Sequence, residues 1–282
     1  MTDRQRLWTP WRMPYVAGNS RETGCIFCNR LAADDDVLSL ILHRGENVFI
    51  IMNLFPYNTG HVMIVPNTHV ASPEDASPDM LAEMAVLRGP VLRALRRGLG
   101  PEGFNLGLNV GAVAGAGVTD HLHEHVVPRW QGDANFMPIL AETTVMPELI
   151  PVTYGKLRAE LVRELQGVTE IRGLVISADG ERALIDVDGA LPRVHAHADE
   201  PLWQAARRDV HDRGAVDAEL IGWAGEARAG TGPPVLLFRA ALAAERARDP
   251  RHRLAGIDEL LAGPDVAIAR AALSQSAGDG VT

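Results

Sequence analysis

Three histidines stand at alternate positions in the stretch His121-Leu122-His123-Glu124-His125-Val126-Val127-Pro128-Arg129-Trp130. A strand has period two, so His121, His123 and His125 are expected on one face and Leu122, Glu124 and Val126 on the other. Three imidazoles on one spot bind metal or carry phosphoryl chemistry. Just upstream runs Gly111-Ala112-Val113-Ala114-Gly115-Ala116-Gly117. Glycine there lets backbone N–H groups approach an anion closely. Histidine row and anion cradle together point to a phosphate-bearing substrate.

Length and charge narrow the setting. The chain has 282 residues, enough for one large or two ordinary domains. Its net charge of −9 argues against a nucleic-acid surface but leaves room for a free nucleotide in a local pocket. No apolar run reaches the length of a membrane span, and Met1-Thr2-Asp3-Arg4-Gln5-Arg6 lacks a signal-peptide core. A cytoplasmic protein is expected. Two cysteines, both in Cys25-x-x-Cys28, cannot build a disulfide framework but form half of a zinc site.

The patterning predicts an α+β unit first. Val37–Leu42 and Val48–Met52 read as paired strands, His61–Pro66 as a buried strand, and Phe104–Val110 as the strand before the glycine loop. Ser77-Pro78 caps and starts a helix to about Arg97, with Met80, Leu81, Met84, Leu87, Val91 and Leu95 on one stripe. A second helix is expected over 145–164. The boundary is placed at Gln166–Glu170, giving domains 1–165 and 170–282. The second domain restarts with a hairpin across Asp179-Gly180, then a helix from about Pro201 to Arg213. Strands at 220–224 and 235–238 and short helices at 257–261 and 265–273 follow.

The histidine row, with Leu7-Trp8-Thr9-Pro10-Trp11-Arg12-Met13, Cys25-Ile26-Phe27-Cys28, Asn53-Leu54-Phe55-Pro56-Tyr57-Asn58-Thr59-Gly60-His61, Gly103-Phe104-Asn105-Leu106-Gly107-Leu108-Asn109 and Gly132-Asp133-Ala134-Asn135-Phe136-Met137-Pro138, resembles the histidine triad (HIT) nucleotide hydrolases and transferases. Within them it resembles the actinobacterial branch that contains diadenosine tetraphosphate phosphorylases. The resemblance covers about the first 160 residues and implies an enzyme with a HIT-like antiparallel sheet and helices. It implies His123 as nucleophile, forming a nucleotidyl–histidine intermediate that water or phosphate resolves. It places His125 on the phosphate and His121 and His61 beside them in the catalytic group. Asn53 matches the ribose-binding position, and Asn109 with Gly115, Ala116 and Gly117 the phosphate segment. Phe27 and Leu54 are candidate walls of the base pocket. Magnesium is expected to accompany a polyphosphate substrate, because it neutralises phosphate charge. Relatives pair as dimers by joining sheets, so a homodimer is expected.

In some relatives His69 and His121 complete a zinc site with the two cysteines; in others the cysteines only pack. Two departures from the family pattern stand out. Glu124 replaces an apolar residue between the second and third histidines; on a strand it faces away from the catalytic row, toward a partner subunit or the added domain. The phosphate loop lacks a Ser or Thr, with Thr119 the nearest hydroxyl.

In the second domain, Glu200-x7-Arg208-Asp209-Val210-His211-Asp212-Arg213-Gly214-Ala215-Val216 resembles a worn Nudix box. Arg213 stands where a metal-binding glutamate belongs and opposes a divalent cation by Coulomb repulsion. A degenerate α/β Nudix-like domain is expected, against the plainer reading of an amphipathic helix of no such ancestry. His195 and His197 read as solvated loop residues. The leading function is cleavage of dinucleoside polyphosphates. Alternatives are transfer or hydrolysis of another nucleotide conjugate, a nucleotide-binding regulatory protein, and a zinc-stapled interaction module.

Overall fold

The computed structural model describes residues 23–133 and 148–272, apart from 178, 187–189, 192, 214–216, 227–231, 240–251, 257–264 and 266. The expectations for residues 1–22, 145–147 and 257–261, and for most of Gly132–Pro138, lie outside the described residues. Described residues of 1–91 and 101–148 form one compact unit; those of 92–100 and 149–282 form a second.

The first unit is built on a five-stranded antiparallel sheet ordered β1-β2-β3-β5-β4. Its strands are β1 (Ile41–Arg44), β2 (Val48–Met52), β3 (Val62–Pro66), β4 (Gly103–Leu108) and β5 (Glu124–Arg129). Strands β2 and β3 are buried along their whole length, as their unbroken apolar sequence requires. Helix α1 (Ile26–Ala32) places Phe27 in a core with Ile41, Phe49, Ile51, Met63 and Val65. The expected strand start at Val37 is instead a helical turn, α2 (Asp36–Ser39). Asp35 caps it by accepting from the N–H groups of Val37 and Leu38, and Leu40 ends it in a left-handed conformation. A local carboxylate cap overrides the strand propensity of Val37.

Helix α3 (Pro78–Leu99) starts where Ser77 accepts from the Met80 N–H. Its stripe of Met84, Leu87, Val91 and Leu95 is buried, while Leu81 at the stripe's start is exposed. No helix among the described residues is long and apolar enough to cross a membrane.

In the second unit a mixed sheet runs β11-β7-β6-β10-β9, with β8 also on β6. Its strands are β6 (Glu170–Ile176), β7 (Arg182–Asp186), β8 (Arg193–His195), β9 (Glu219–Glu226), β10 (Pro234–Arg239) and β11 (His252–Gly256). Strands β6 and β7 form the expected antiparallel pair about Asp179-Gly180. Strand β10 runs parallel to β6. Helix α4 (Ile150–Gln166) groups with this unit. The reason is its buried face: Ala159 packs with Ile171, Val175, Leu202, Val210 and Phe238. Helix α5 (Leu202–Asp212) lies within the helix expected from about Pro201 to Arg213, and residues 214–216 of the worn box lie outside the described residues. Residues 267–272 are helical, inside the expected 265–273.

Candidate active site

Strand β5 begins at Glu124, so only His125 of the three histidines lies within it. The segment before it is held differently: the Leu122 N–H bonds to the Val70 carbonyl. The single face expected for His121, His123 and His125 is therefore divided. His123 and His125 remain neighbours, with ring centroids 4.8 Å apart. His121 turns its Nδ1 toward Cys25, 3.3 Å from its Sγ. His61, directly before β3, takes the vacant place in the group: its Nε2 lies 2.9 Å from His125 Nδ1.

The partners fix where each proton sits. His61 Nδ1 receives the Tyr57 backbone N–H at 3.2 Å and faces the Asn53 amide nitrogen at 3.3 Å. Both are donors, so Nδ1 is an acceptor and the His61 proton is on Nε2. That proton is donated to His125 Nδ1, which places the His125 proton on Nε2. His123 Nδ1 lies 2.8 Å from the His121 carbonyl and must donate to it, leaving the lone pair on His123 Nε2. One imidazole thus presents a nucleophilic nitrogen, and its neighbour presents an N–H.

Electrostatics hold these rings neutral. Burial, then the neighbouring His125 and His123, lowers His61 to about 3. Burial, then His123, lowers His125 to about 4. Burial also lowers His123, opposed by its bond to the His121 carbonyl. Phe27 packs its ring 5.1 Å from that of His123, and Tyr57 stacks on His61 at 4.9 Å and 28°. Gly107 pairs with His125 across the ladder and puts no side chain beside it.

The remaining expected residues fall as follows. The Asn53 carboxamide accepts from the Phe55 N–H at 2.9 Å and faces His61, so its side chain orders the loop below the histidines. Phe27 is 4% exposed and packs with the core and against His123; Leu54 is 36% exposed. Asn109 directly follows β4 and is half-buried. Gly111 and Gly115 both adopt positive φ, which favours glycine, around a 3-10 turn over Ala112–Ala114. The Gly115 N–H bonds to the Ala112 carbonyl, so this amide closes the turn instead of facing outward. Ala116 and Gly117 follow, half-buried and exposed.

Cys25, Cys28, His69 and His121 bring four donor atoms within 4.8 Å of one another. His121 Nε2 donates to the Pro66 carbonyl at 2.9 Å, which leaves the Nδ1 lone pair aimed into this group. His69 directs Nδ1 at Cys28 Sγ (3.4 Å) and Nε2 toward Asp120 (3.8 Å). Two sulfurs, two imidazoles and a carboxylate behind one of them match the chemistry of a tetrahedral zinc centre. Among the described residues, this is the one such group of potential metal donors. His195 and His197 are in none.

Glu124 is buried, and Arg88 of α3 donates Nε to both its carboxylate oxygens at 3.0 Å. In the second unit, Arg213 is 4% exposed and bonds to the Asp209 carboxylate and the Gly173 carbonyl. Glu200 pairs with Arg208 at 2.9 Å. Tyr57, Asn58 and Asp133 were not singled out individually by the sequence, although each lies in a recognisable block.

A HIT domain model matches residues 36–132. The chain is 39% identical over 167 residues to the AP-4-A phosphorylase of Mycobacterium tuberculosis, covering 57% of this chain and 86% of that protein. It is 29% identical over 118 residues to the adenylylsulfatase HINT3 of Arabidopsis thaliana, covering 42% of this chain and 58% of that one. The crystal structure of a Zn-bound histidine triad family protein from Mycobacterium smegmatis aligns with a TM-score of 0.43 and 29% identity, over 51% of this chain and 98% of that one.

Proposed function

The chain belongs to the histidine triad (HIT) family, and on that premise we propose that it is a nucleotidyl-transferring enzyme acting on dinucleoside polyphosphates. The observation that carries this reading is the proton arrangement: a bare His123 Nε2 beside a His125 Nε2–H. His123 Nε2 attacks the α-phosphorus, and an N–P bond forms as the bond to the leaving-group oxygen breaks. His125 gives its Nε2 proton to that oxygen, a task left open by the missing hydroxyl of the phosphate loop. Attack by phosphate on the nucleotidyl–His123 intermediate then releases ADP from an adenylyl group; attack by water releases AMP.

Asn53, Leu54, Asn109 and the Gly115–Gly117 segment are assigned to substrate. Zinc is the assigned occupant of the Cys25, Cys28, His69 and His121 group, where it would pin α1 beside the histidines and take no part in the reaction. Magnesium accompanies the polyphosphate. Edge strand β4, with Leu106 and Leu108 exposed at 40% and 36%, supports a homodimer joined at that edge. Net charge −9 supports a free nucleotide over nucleic acid as partner, in the cytoplasm. The second unit is a degenerate Nudix-like domain in which Arg213 stands in for a cation.

Product analysis tests the reading. The protein is incubated with diadenosine tetraphosphate and magnesium, with and without phosphate, beside His123→Ala. ADP plus ATP only with phosphate, lost in the variant, is the expected result. AMP plus ATP without phosphate makes the enzyme a hydrolase. No turnover under either condition removes this substrate class.

A further inference from the structure

The loop from Asn53 to His61 carries everything that fixes the His61 proton, so what holds the loop matters. Its base is closed by the Asn53 N–H on the His61 carbonyl, at 2.9 Å. Its tip is held through the Asn58 side chain. Asn58 Nδ2 donates to the Asp133 carboxylate at 2.8 Å and to the Pro128 carbonyl at 3.1 Å, at the far end of β5. The Asn58 carbonyl accepts the His61 N–H at 3.1 Å.

Asp133 is itself immobilised. Arg129 donates Nε and Nη2 to its two oxygens, each at 2.7 Å, and the Trp130 N–H donates at 3.0 Å. Arg129 is held in turn by Asn105 of β4, at 2.7 Å. A carboxylate with four donors in a bidentate guanidinium fork has little freedom to reorient. The tether therefore runs from a fixed point on the sheet, through Asn58, to the residue next to Tyr57. Tyr57 in turn presents its N–H to His61 and lays its ring on the His61–His125 pair.

We propose that Asn58 and Asp133 are positioning residues that set the tautomers of His61 and His125 from a distance, by clamping the loop that delivers the Tyr57 N–H to His61. With the clamp intact, Nδ1 of His61 always meets a donor, and the proton chain points outward through His125 Nε2. With the tip released, Tyr57 N–H drifts off His61 and only the longer Asn53 contact at 3.3 Å still opposes the Nδ1–H form; that form becomes accessible, and His125 Nε2 loses its proton for part of the time. Neither residue touches the reacting atoms. The kinetic consequence rests on the nucleotidyl-transfer reading above; the tautomer consequence does not.

The test uses the full chain with 15N-labelled histidine, and the variants Asn58→Ala and Asn58→Asp. Alanine removes the tether and leaves the Arg129–Asp133 fork intact; aspartate sets a second carboxylate against Asp133. Multiple-bond 1H–15N spectra at pH 7.5 read the tautomers directly. In the wild type, His61 and His125 are expected wholly in the Nε2–H form, and in both variants as mixtures. Turnover is measured on a phosphoramidate of AMP, whose amine must take up a proton to leave, and on the 4-nitrophenyl ester of AMP, whose leaving group needs no proton. The variants are expected to lose at least tenfold in kcat on the first, at nearly constant KM, and less than about twofold on the second. A merely structural role would slow both substrates alike. Wild-type tautomers in both variants, or equal loss on both substrates, would overturn the clamp. Shifted tautomers in a protein whose wild type turns over neither substrate would uphold the clamp and remove the nucleotidyl-transfer reading.

Discussion

The Arg88 guanidinium reaches from helix α3 to Glu124, with Nε 3.0 Å from each carboxylate oxygen, and so ties the residue between His123 and His125 to the helix. The Glu124 side chain is 6% exposed and that of Arg88 43%. The pair is thus a buried anion answered by a half-exposed cation. Removing the cation alone strands a charge. Arg88→Ala is expected to destabilise the first unit by about 2–4 kcal/mol, and the double variant Arg88→Met/Glu124→Leu to recover most of that loss. Denaturant melts of the two variants check this. A double variant as unstable as the single one would mean that the pair's geometry, not its charge, is what matters.

The metal group gives a graded prediction. Purified protein is expected to carry about one zinc per chain, since one tetrahedral centre needs all four donors. Cys28→Ser abolishes retention. Asp120→Asn, which only loosens the orientation of His69, weakens zinc affinity by about tenfold. Elemental analysis and a chelator competition read both. Equal zinc content in wild type and Cys28→Ser would exclude this centre.

Neutral imidazoles make the first unit sensitive to acid. His61 and His125 are lowered from 6.5 to about 3 and about 4. For a histidine lowered on folding, the stability contribution is complete above the unfolded value of 6.5 and is lost as pH falls through the folded values. The first unit should weaken steadily from pH 6.5 toward pH 4, and His61→Asn should flatten that slope. Histidine 15N shifts between pH 5 and 8 are expected to show no protonation of either ring. An imidazolium signal from His61 at pH 6 would contradict the burial argument.

The second unit behaves oppositely, through Glu160. Its side chain is fully buried; one oxygen accepts from the Leu202 N–H at 2.6 Å and the other lies 3.6 Å from Arg97. Burial raises it to about 7, against the lowering effects of that N–H, Arg97 and Arg163. A carboxyl raised on folding stabilises most below its unfolded value and loses that contribution as pH rises through about 7. Stability should fall between pH 5 and pH 8, at up to about 1.4 kcal/mol per pH unit. Glu160→Gln removes this dependence. A calorimetric scan at several pH values decides; an unchanged slope in the variant would assign it elsewhere.

Arg213 tests the character of the second unit. Placing an acid there with Arg213→Glu would set two carboxylates together in a buried place, because Asp209 loses its partner. A loss of about 3–5 kcal/mol is expected, with no gain of magnesium-dependent pyrophosphohydrolase activity. A stable, metal-binding Arg213→Glu protein would support the Nudix-like reading with a usable cation site.

The sequence alone determined most of the elements and the chemical class. Unbroken apolar runs specified the central strands β2 and β3, Ser77-Pro78 specified the start of α3, and the alternate histidines with their glycine loop specified phosphate chemistry. These are local signals, readable from period and cap. Three things were decided only by the tertiary structure. His121 left the row because the Val70 carbonyl holds the Leu122 N–H and delays the start of β5. His61 joined His125 across 64 residues because β3 pairs with β5 in one register, Met63 beside His125. Helix α4 went to the second unit because its apolar face fits that core. Proton positions belong to this second kind. A tautomer depends on which donor or acceptor stands about 3 Å away, and that is set by strand register and loop closure, which no periodicity encodes.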